Sequence, residues 1–283
     1  MTGLAALPPL REVIAAHGLS ARKSLGQNFL LDLNVTRRIA RAAQPFEGVT
    51  ALEVGPGPGG LTRALLEEGA QRVVAVERDE RCLAVLQQIA DAAPGRLTII
   101  EGDALTLDLP ALAAEHGRLK IVANLPYNIA TPLLIGWLRQ VHLFDGFVLM
   151  FQKEVADRLA APPGSKTYGR LSVAAQWQCA VRPLFTLPPR AFVPAPKVDS
   201  TVVELLPRQD PLGDADPALL EKVVAAAFNQ RRKMLRSSLR ALDIDVAACG
   251  INPEARAETL TIEEFCRLAR HLEGKAHATR PPG

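Results

Sequence analysis

Through the first two-thirds of the chain, short aliphatic and β-branched runs alternate with amphipathic stretches. Val49–Val54 predicts a buried strand and Gly60–Gly69 a helix after it. Val73–Glu77 predicts a second strand, followed by a helix from about Glu80 to Ala92. Leu97–Ile100, Lys120–Ala123 and Gly146–Phe151 predict three more strands, with a helix near Pro132–Gln140 between the last two. Strands that alternate with helices build a parallel sheet covered on both faces. Gln176–Val181 and Thr201–Leu206 predict later strands that close one edge.

The pattern then changes. Pro207–Pro217 is rich in Pro, Asp and Gly and reads as a linker. Asp216 and Pro217 predict a helix start, the acid as N-cap and the proline at the first helical position. From there to about Glu273 the periodicity is helical. The pattern therefore predicts a doubly wound α/β domain over residues 1–206, a linker over 207–217, a small all-helical domain over 218–275 and a disordered tail over 276–283.

With 48% hydrophobic and 22% charged residues in 283, the chain can bury a full core without disulfides or structural metal. Cys82, Cys179, Cys249 and Cys266 form no C-x-x-C pair and have no histidine at zinc-ligand spacing, so free thiols and no metal site are expected. No apolar run suggests a membrane span, and a cytoplasmic location is expected. The formal net charge of +3 says little, but its distribution does. Arg231, Arg232, Lys233, Arg236 and Arg240 lie together without an acid among them. Arg22 and Lys23 form a second basic site, and Arg37, Arg38 and Arg41 follow at helical spacing. One such side chain usually belongs to a solvated face, whereas a cluster suits phosphate contacts. The apolar stripe Leu220, Val223, Val224, Ala227 and Phe228 would carry Arg231 to a buried face unless the helix breaks near Asn229.

The densest local feature is Glu53-Val-Gly55-Pro-Gly57-Pro-Gly59-Gly60-Leu-Thr62, between a predicted strand and a predicted helix. Glycines there permit a tight turn and close approach to a ligand. Gly55, Gly57 and Gly60 also match the dinucleotide pattern G-x-G-x-x-G, so a dehydrogenase and a ligand-free turn both stay open. Glu77, ending the second strand, can accept ribose hydroxyls in either enzyme class. Asp103, in Gly102-Asp103-Ala104, can read an adenine amino group or simply cap a turn. Asn124-Leu125-Pro126-Tyr127, at the end of the fourth strand, is the most specific. An adenine N6 is a poor nucleophile because its lone pair is delocalised. Asn124 Oδ1 and the Leu125 carbonyl can accept its two N–H bonds and favour a tetrahedral nitrogen, while Tyr127 stacks on the base. On that reading the Tyr127 ring matters and its hydroxyl does not. The bland alternative is an Asn-Pro turn with a packed tyrosine.

These motifs, taken with Lys23-Ser-Leu-Gly-Gln-Asn-Phe-Leu30, Val76-Glu77-Arg78-Asp79, Thr167-Tyr-Gly-Arg170, Phe192-Val-Pro-Ala-Pro-Lys-Val-Asp-Ser200 and Asn229-Gln-Arg-Arg-Lys-Met-Leu-Arg236, resemble the ribosomal RNA adenine N6,N6-dimethyltransferases, in particular the bacterial small-subunit type. The resemblance runs from Lys23 to about Leu268; Leu31-Asp32-Leu33 and Ala130 depart from it. It implies a Rossmann-like sheet of the class I methyltransferase type and S-adenosylmethionine as methyl donor, with no metal. It implies that Asn28, Leu30, Gly55, Gly57, Glu77, Asp103, Ala104 and Asn124 surround that cofactor. It adds Phe192 as a second aromatic wall beside the catalytic Asn124, Leu125 and Tyr127. The two basic clusters make Arg22, Lys23, Arg231, Arg232, Lys233 and Arg236 the expected RNA contacts. The expected substrate is two adjacent adenines near the 3′ end of small-subunit rRNA within an immature subunit, each dimethylated by a monomeric enzyme. Large-subunit rRNA, DNA adenine or protein glutamine as substrate, and an assembly factor in which methylation is secondary, are the competing readings.

Overall fold

A computed structural model describes residues 3–22, 25–230 and 232–278, the last three by backbone alone. The chain divides into two compact units, Met1–Ala156 with Arg182–Pro207, and Asp157–Val181 with Arg208–Gly283.

The strands are β1 (Phe29–Leu30), β2 (Thr50–Val54), β3 (Val73–Glu77), β4 (Leu97–Glu101), β5 (Leu119–Ala123), β6 (Phe144–Gln152), β7 (Cys179–Leu187), β8 (Phe192–Val193) and β9 (Ser200–Pro207). Seven of them form one sheet in the order β4-β3-β2-β5-β6-β9-β7, and β1 pairs with β8 separately. The pairs from β4 to β6 are parallel and β9 joins β6 antiparallel. The chain winds outward from β2 to β4, then returns to the other side of β2 with β5. That reversal leaves a crevice at the carboxyl ends of β2 and β5, where open α/β sheets bind ligands. β2, β3 and β5 are buried along their whole length, whereas the edge strand β4 is half-exposed.

Helices α1 (Leu10–Ala16), α2 (Leu33–Ala42), α3 (Gly60–Glu67), α4 (Glu80–Ala92), α5 (Leu109–His116) and α6 (Tyr127–Leu138) belong to this unit. Acidic N-caps start several of them. Asp32, Asp79 and Asp108 accept from the amides of Asn34, Arg81 and Ala111 and so satisfy otherwise orphaned helix donors. The residue Asp32, where the chain departs from its expected relatives, thus has a capping role. Helix α6 begins at Tyr127, a turn ahead of the expected start at Pro132, which lies inside the helix. The proline forgoes one backbone bond, and burial of Leu133, Leu134 and Trp137 offsets that loss.

The helical unit is larger than the pattern suggests. Asp157–Val181 clusters with the C-terminal residues, so a boundary at 206 assigns that segment to the wrong unit. The reason is packing: Ala161, Tyr168, Val173 and Trp177 share one core with Leu220, Val224, Leu235, Phe265 and Leu268. The expected strand at Gln176–Val181 is correspondingly split, because helix α8 (Arg170–Gln178) runs to Gln178 before β7 begins; α7 (Lys153–Leu159) precedes it. Pro207–Pro217 is no free linker either. Trp177 Nε1 donates to the Gly213 carbonyl at 2.9 Å, and the Leu212 amide donates to the Trp177 carbonyl at 2.8 Å. Gly213 has φ +86°, and a Cβ there would sit 3.1 Å from the Cβ of Cys266, so only glycine fits.

Helices α9 (Pro217–Asn229), α10 (Leu235–Ser238) and α11 (Ile262–Ala278) complete the unit. Helix α9 stops at Asn229, the break anticipated there; Arg231 lies outside the described residues. Helix α11 carries the chain past residue 275, and residues 279–283 of the expected tail lie outside the described residues. The Asp216 carboxylate caps α9, accepting from the Leu219 amide at 2.8 Å. Asp216→Ala should therefore lower stability by about 1 kcal/mol. Chemical denaturation followed by tryptophan fluorescence reads this, since Trp177 sits in the same core; an unchanged midpoint would mean that water caps the helix equally well.

Candidate functional site

A cavity opens over the carboxyl ends of β2, β3 and β5, lined by residues 25–30, the glycine-rich loop, Glu77 and Arg78, residues 102–105 and residues 124–129. The loop geometry follows from its glycines. Gly55, Gly57 and Gly59 have φ of 69°, 55° and 80°, in the left-handed region. A Cβ on Gly59 would lie 2.2 Å from Ile89 Cδ1, and one on Gly57 would lie 3.1 Å from the Phe29 ring. Gly57 and Gly59 therefore let the loop lie close against β1 and α4, with Pro56 and Pro58 beside them in the cavity lining.

Glu77 closes the end of β3 and is buried. Its Oε2 accepts from the Gly57 amide at 2.8 Å, and its Oε1 accepts from the amides of Arg78 at 2.8 Å and Asp79 at 2.7 Å. Burial pushes its pKa up, and those three N–H donors offset only part of the rise. Asp79 beside it is held well below the usual carboxylate range, at about 2, chiefly by its hydrogen bond to Arg81. Gln27 also donates to Asp79, at 2.8 Å, and its own side-chain oxygen accepts from the Arg22 amide. This polar cluster ties Arg22 and Gln27 to the turn after β3.

Asn124 follows β5. Its Nδ2 donates to the backbone carbonyl of Asn28 at 3.1 Å, which settles the amide orientation and leaves Oδ1 as an acceptor. The adjoining Leu125 is buried, and Tyr127, the first residue of α6, is half-buried with its hydroxyl 2.6 Å from Ser200 Oγ. Asp103 caps a short 3₁₀ turn through the Leu105 amide at 3.0 Å, and its other oxygen pairs with Arg78 at 3.1 Å. The residue is thus a turn cap and a cavity wall at once. Asn28 turns its own Nδ2 to the Gly26 carbonyl at 3.3 Å.

All eight residues expected around the cofactor, together with Leu125 and Tyr127, line this one cavity. Phe192 is the exception. It is 2% exposed and belongs to the hydrophobic core, while its neighbour Val193 is 50% exposed. Residue alternation along β8, paired with β1 through Leu30↔Phe192, turns the ring inward, so it backs Leu30 rather than presenting a face to the cavity. The basic residues on α2 are also differently employed. Arg37 and Arg41 pair with Glu67 and Glu68, and the Arg38 guanidinium lies 3.8 Å from the centre of the Phe185 ring. Arg22, Arg232, Lys233 and Arg236 are exposed, Arg236 with Glu254 at 3.5 Å; Lys23 and Arg231 lie outside the described residues. Gln27, Arg78 and Ser200 are polar contributors that residue type alone did not single out, although each falls inside a matched motif.

A donor with an adenine, a ribose and a sulfonium methyl fits these walls: glycines for close approach, carboxylates at Glu77 and Asp103, and an oriented amide at Asn124. Among the described residues there is no cluster of His, Cys, Asp or Glu able to hold a metal ion and no helix long and apolar enough to cross a membrane.

Behind the loop, Glu53 is buried and accepts from Thr62 Oγ1 at 2.6 Å. Burial pushes its pKa up from 4.5 to about 8. The folded protein therefore holds this proton where the unfolded chain releases it, and the stabilisation is lost as pH rises from about 4.5 to about 8. Glu53→Gln keeps the shape without the ionisation, so its melting temperature should gain on that of the unsubstituted protein across this window. Parallel melting curves against pH would exclude a neutral Glu53.

The ribosomal RNA adenine dimethylase family model matches residues 18–273. The chain is 63% identical to ribosomal RNA small subunit methyltransferase A of Rhodospirillum rubrum, covering 94% of this chain and 93% of that protein. It is 60% identical to the protein of the same name from Paramagnetospirillum magneticum, covering 96% and 97%. Among solved structures, a dimethyladenosine transferase from Plasmodium falciparum is similar at 25% identity and a TM-score of 0.73, covering 87% of this chain and 97% of that one. The 23S rRNA methyltransferase ErmE is similar at 25% identity and a TM-score of 0.66, covering 87% and 100%. With the cavity at the switch point of a mostly parallel sheet and a family match over nearly its whole length, the chain belongs to the ribosomal RNA adenine dimethylase family, methyltransferases of Rossmann-like fold.

Proposed function

We propose that the chain transfers methyl groups from S-adenosylmethionine to N6 of two adjacent adenines near the 3′ end of small-subunit rRNA, dimethylating each within an immature subunit, as a cytoplasmic monomer. The observation that carries the chemistry is the Asn124 amide. Because Nδ2 is committed to the Asn28 carbonyl, Oδ1 is the atom available to an adenine N6–H, and the Leu125 carbonyl follows directly in the chain. Two acceptors favour a tetrahedral, more nucleophilic nitrogen, and they strengthen as positive charge develops there. When bound, the cofactor would supply an electrophilic methyl, and Glu77, Asp103 and the glycine-rich loop would hold it. No strong base is required, since the N6 proton becomes acidic on alkylation. Tyr127 stacks on the base and keeps it in line.

The curated relatives named above carry a small-subunit name at 60% identity and more, against 25% for the large-subunit enzyme, which favours the small subunit as substrate. Exposed Arg232, Lys233 and Arg236 in the helical unit suit phosphate contacts, with Arg22 beside the cavity segment.

The reading is tested by single-turnover methyl transfer at saturating cofactor. Asn124→Ala should slow transfer by about 10²-fold or more with rRNA affinity retained, by analogy with loss of one preorganised hydrogen-bonding group. Glu77→Ala should instead weaken cofactor binding by roughly 1–3 kcal/mol in calorimetry. A fast Asn124→Ala enzyme would return the motif to a structural turn. Replacing Arg232, Lys233 and Arg236 with Ala should weaken rRNA binding and lower its log–log salt slope by roughly 0.7–0.9 per lost phosphate contact. An unchanged slope would make these residues a solvated face.

A further inference from the structure

Ser200 opens β9 and is fully buried, yet the chemistry above does not use it. Its Oγ lies 2.6 Å from the Tyr127 hydroxyl, a short bond in which either oxygen can donate. The serine is fixed by the sheet, since Ser200 stands opposite Gln152 in the β6–β9 ladder and the neighbouring Asp199 carbonyl accepts from the Lys153 amide at 2.9 Å. Tyr127, by contrast, is half-buried at the first position of α6, where the helix sets its backbone but its ring keeps two torsions. The hydroxyl oxygen lies on the axis of the ring torsion, so a hydrogen bond from a partner that cannot move fixes χ1, and the preference of a phenol O–H for the ring plane ties the ring face to the same partner.

We infer that Ser200 is a positioning residue for methyl transfer: its hydroxyl anchors the Tyr127 phenol, so that the ring face is preset in the cavity before the target base arrives. The inference rests on the reading of Tyr127 as the stacking wall. It revises the sequence expectation that the Tyr127 hydroxyl is dispensable, because the ring supplies the stacking surface and the hydroxyl supplies its orientation. It also gives the Pro-Lys-Val-Asp-Ser segment a task, as the strand start that carries the anchor. A preset wall spares the rotamer freedom that would otherwise be lost when the base binds.

A purely structural role is separable from this one. Removing either hydroxyl leaves the other buried oxygen without its partner, which destabilises the fold. Replacing both by apolar groups is close to neutral for stability. Ser200→Ala, Tyr127→Phe and the double variant are therefore compared in the full-length protein. Single-turnover transfer to unmodified small subunits is measured at saturating S-adenosylmethionine, alongside melting temperature and cofactor affinity. Each single variant should slow transfer by about tenfold, the scale of one misplaced hydrogen-bonded group. The double variant should be as slow as either single one, although its melting temperature recovers, and cofactor affinity should hold throughout. If a single variant folds poorly, the double variant decides. A full-rate Ser200→Ala enzyme, a rate that recovers together with melting temperature in the double variant, or two defects that multiply would each overturn the inference. Tyr127→Ala separates the two layers. If it transfers at full rate, the stacking reading itself fails; if it is slow while Ser200→Ala is fast, only the anchoring role fails.

Discussion

The cofactor side of the site depends on one buried carboxylate. Glu77 ends β3, and its two oxygens gather the amides of Gly57, Arg78 and Asp79. Those bonds join the loop after β2 to the turn after β3, and so set two walls of the cavity. Burial opposes the charge and the three donors favour it, which holds the carboxylate in place at the cost of desolvation. The glycines answer the same constraint from the other side. Gly57, whose amide meets Glu77, has φ 55°, and a Cβ there would lie 3.1 Å from the Phe29 ring, which favours glycine at that position.

The catalytic side is built from a more distant part of the chain. The Asn28 carbonyl orients Asn124, and the neighbouring Gln27 is itself held on Asp79. The segment before the first strand of the large sheet thus connects the carboxylate cluster to the acceptor amide. The pairing of β1 with β8 closes this segment from behind, with Phe192 packed in the core under Leu30. The carboxylate cluster and the Asn124 amide are therefore joined through a short stretch of backbone.

The helical unit follows a different logic. Its core draws on two separate chain segments, and Trp177 carries much of the join through its packing and its bond to Gly213. The segment with the composition of a linker is consumed in that join. Its prolines and glycine serve a tight, hydrogen-bonded path over α8 and α11 rather than freedom of movement.

The order of strands and helices from β2 to β6, and the residues at their carboxyl ends, were legible from the sequence because both are local properties. A buried parallel strand is a short apolar run, a cap is an acid at one position, and a loop that must approach a ligand is dense in glycine. Asp216, Gly55, Glu77 and Asn124 could each be read in this way. What the tertiary structure alone decided depends on contacts between distant residues. Phe192 turns inward because β8 pairs with β1, the arginines of α2 are taken up by Glu67, Glu68 and Phe185, and Asp157–Val181 joins the C-terminal core. The Ser200–Tyr127 bond belongs to the same class, since nothing local to either residue marks its partner. Periodicity reports which face of an element is apolar; which neighbour covers that face, and which polar atom meets which, is settled only when the chain has closed on itself.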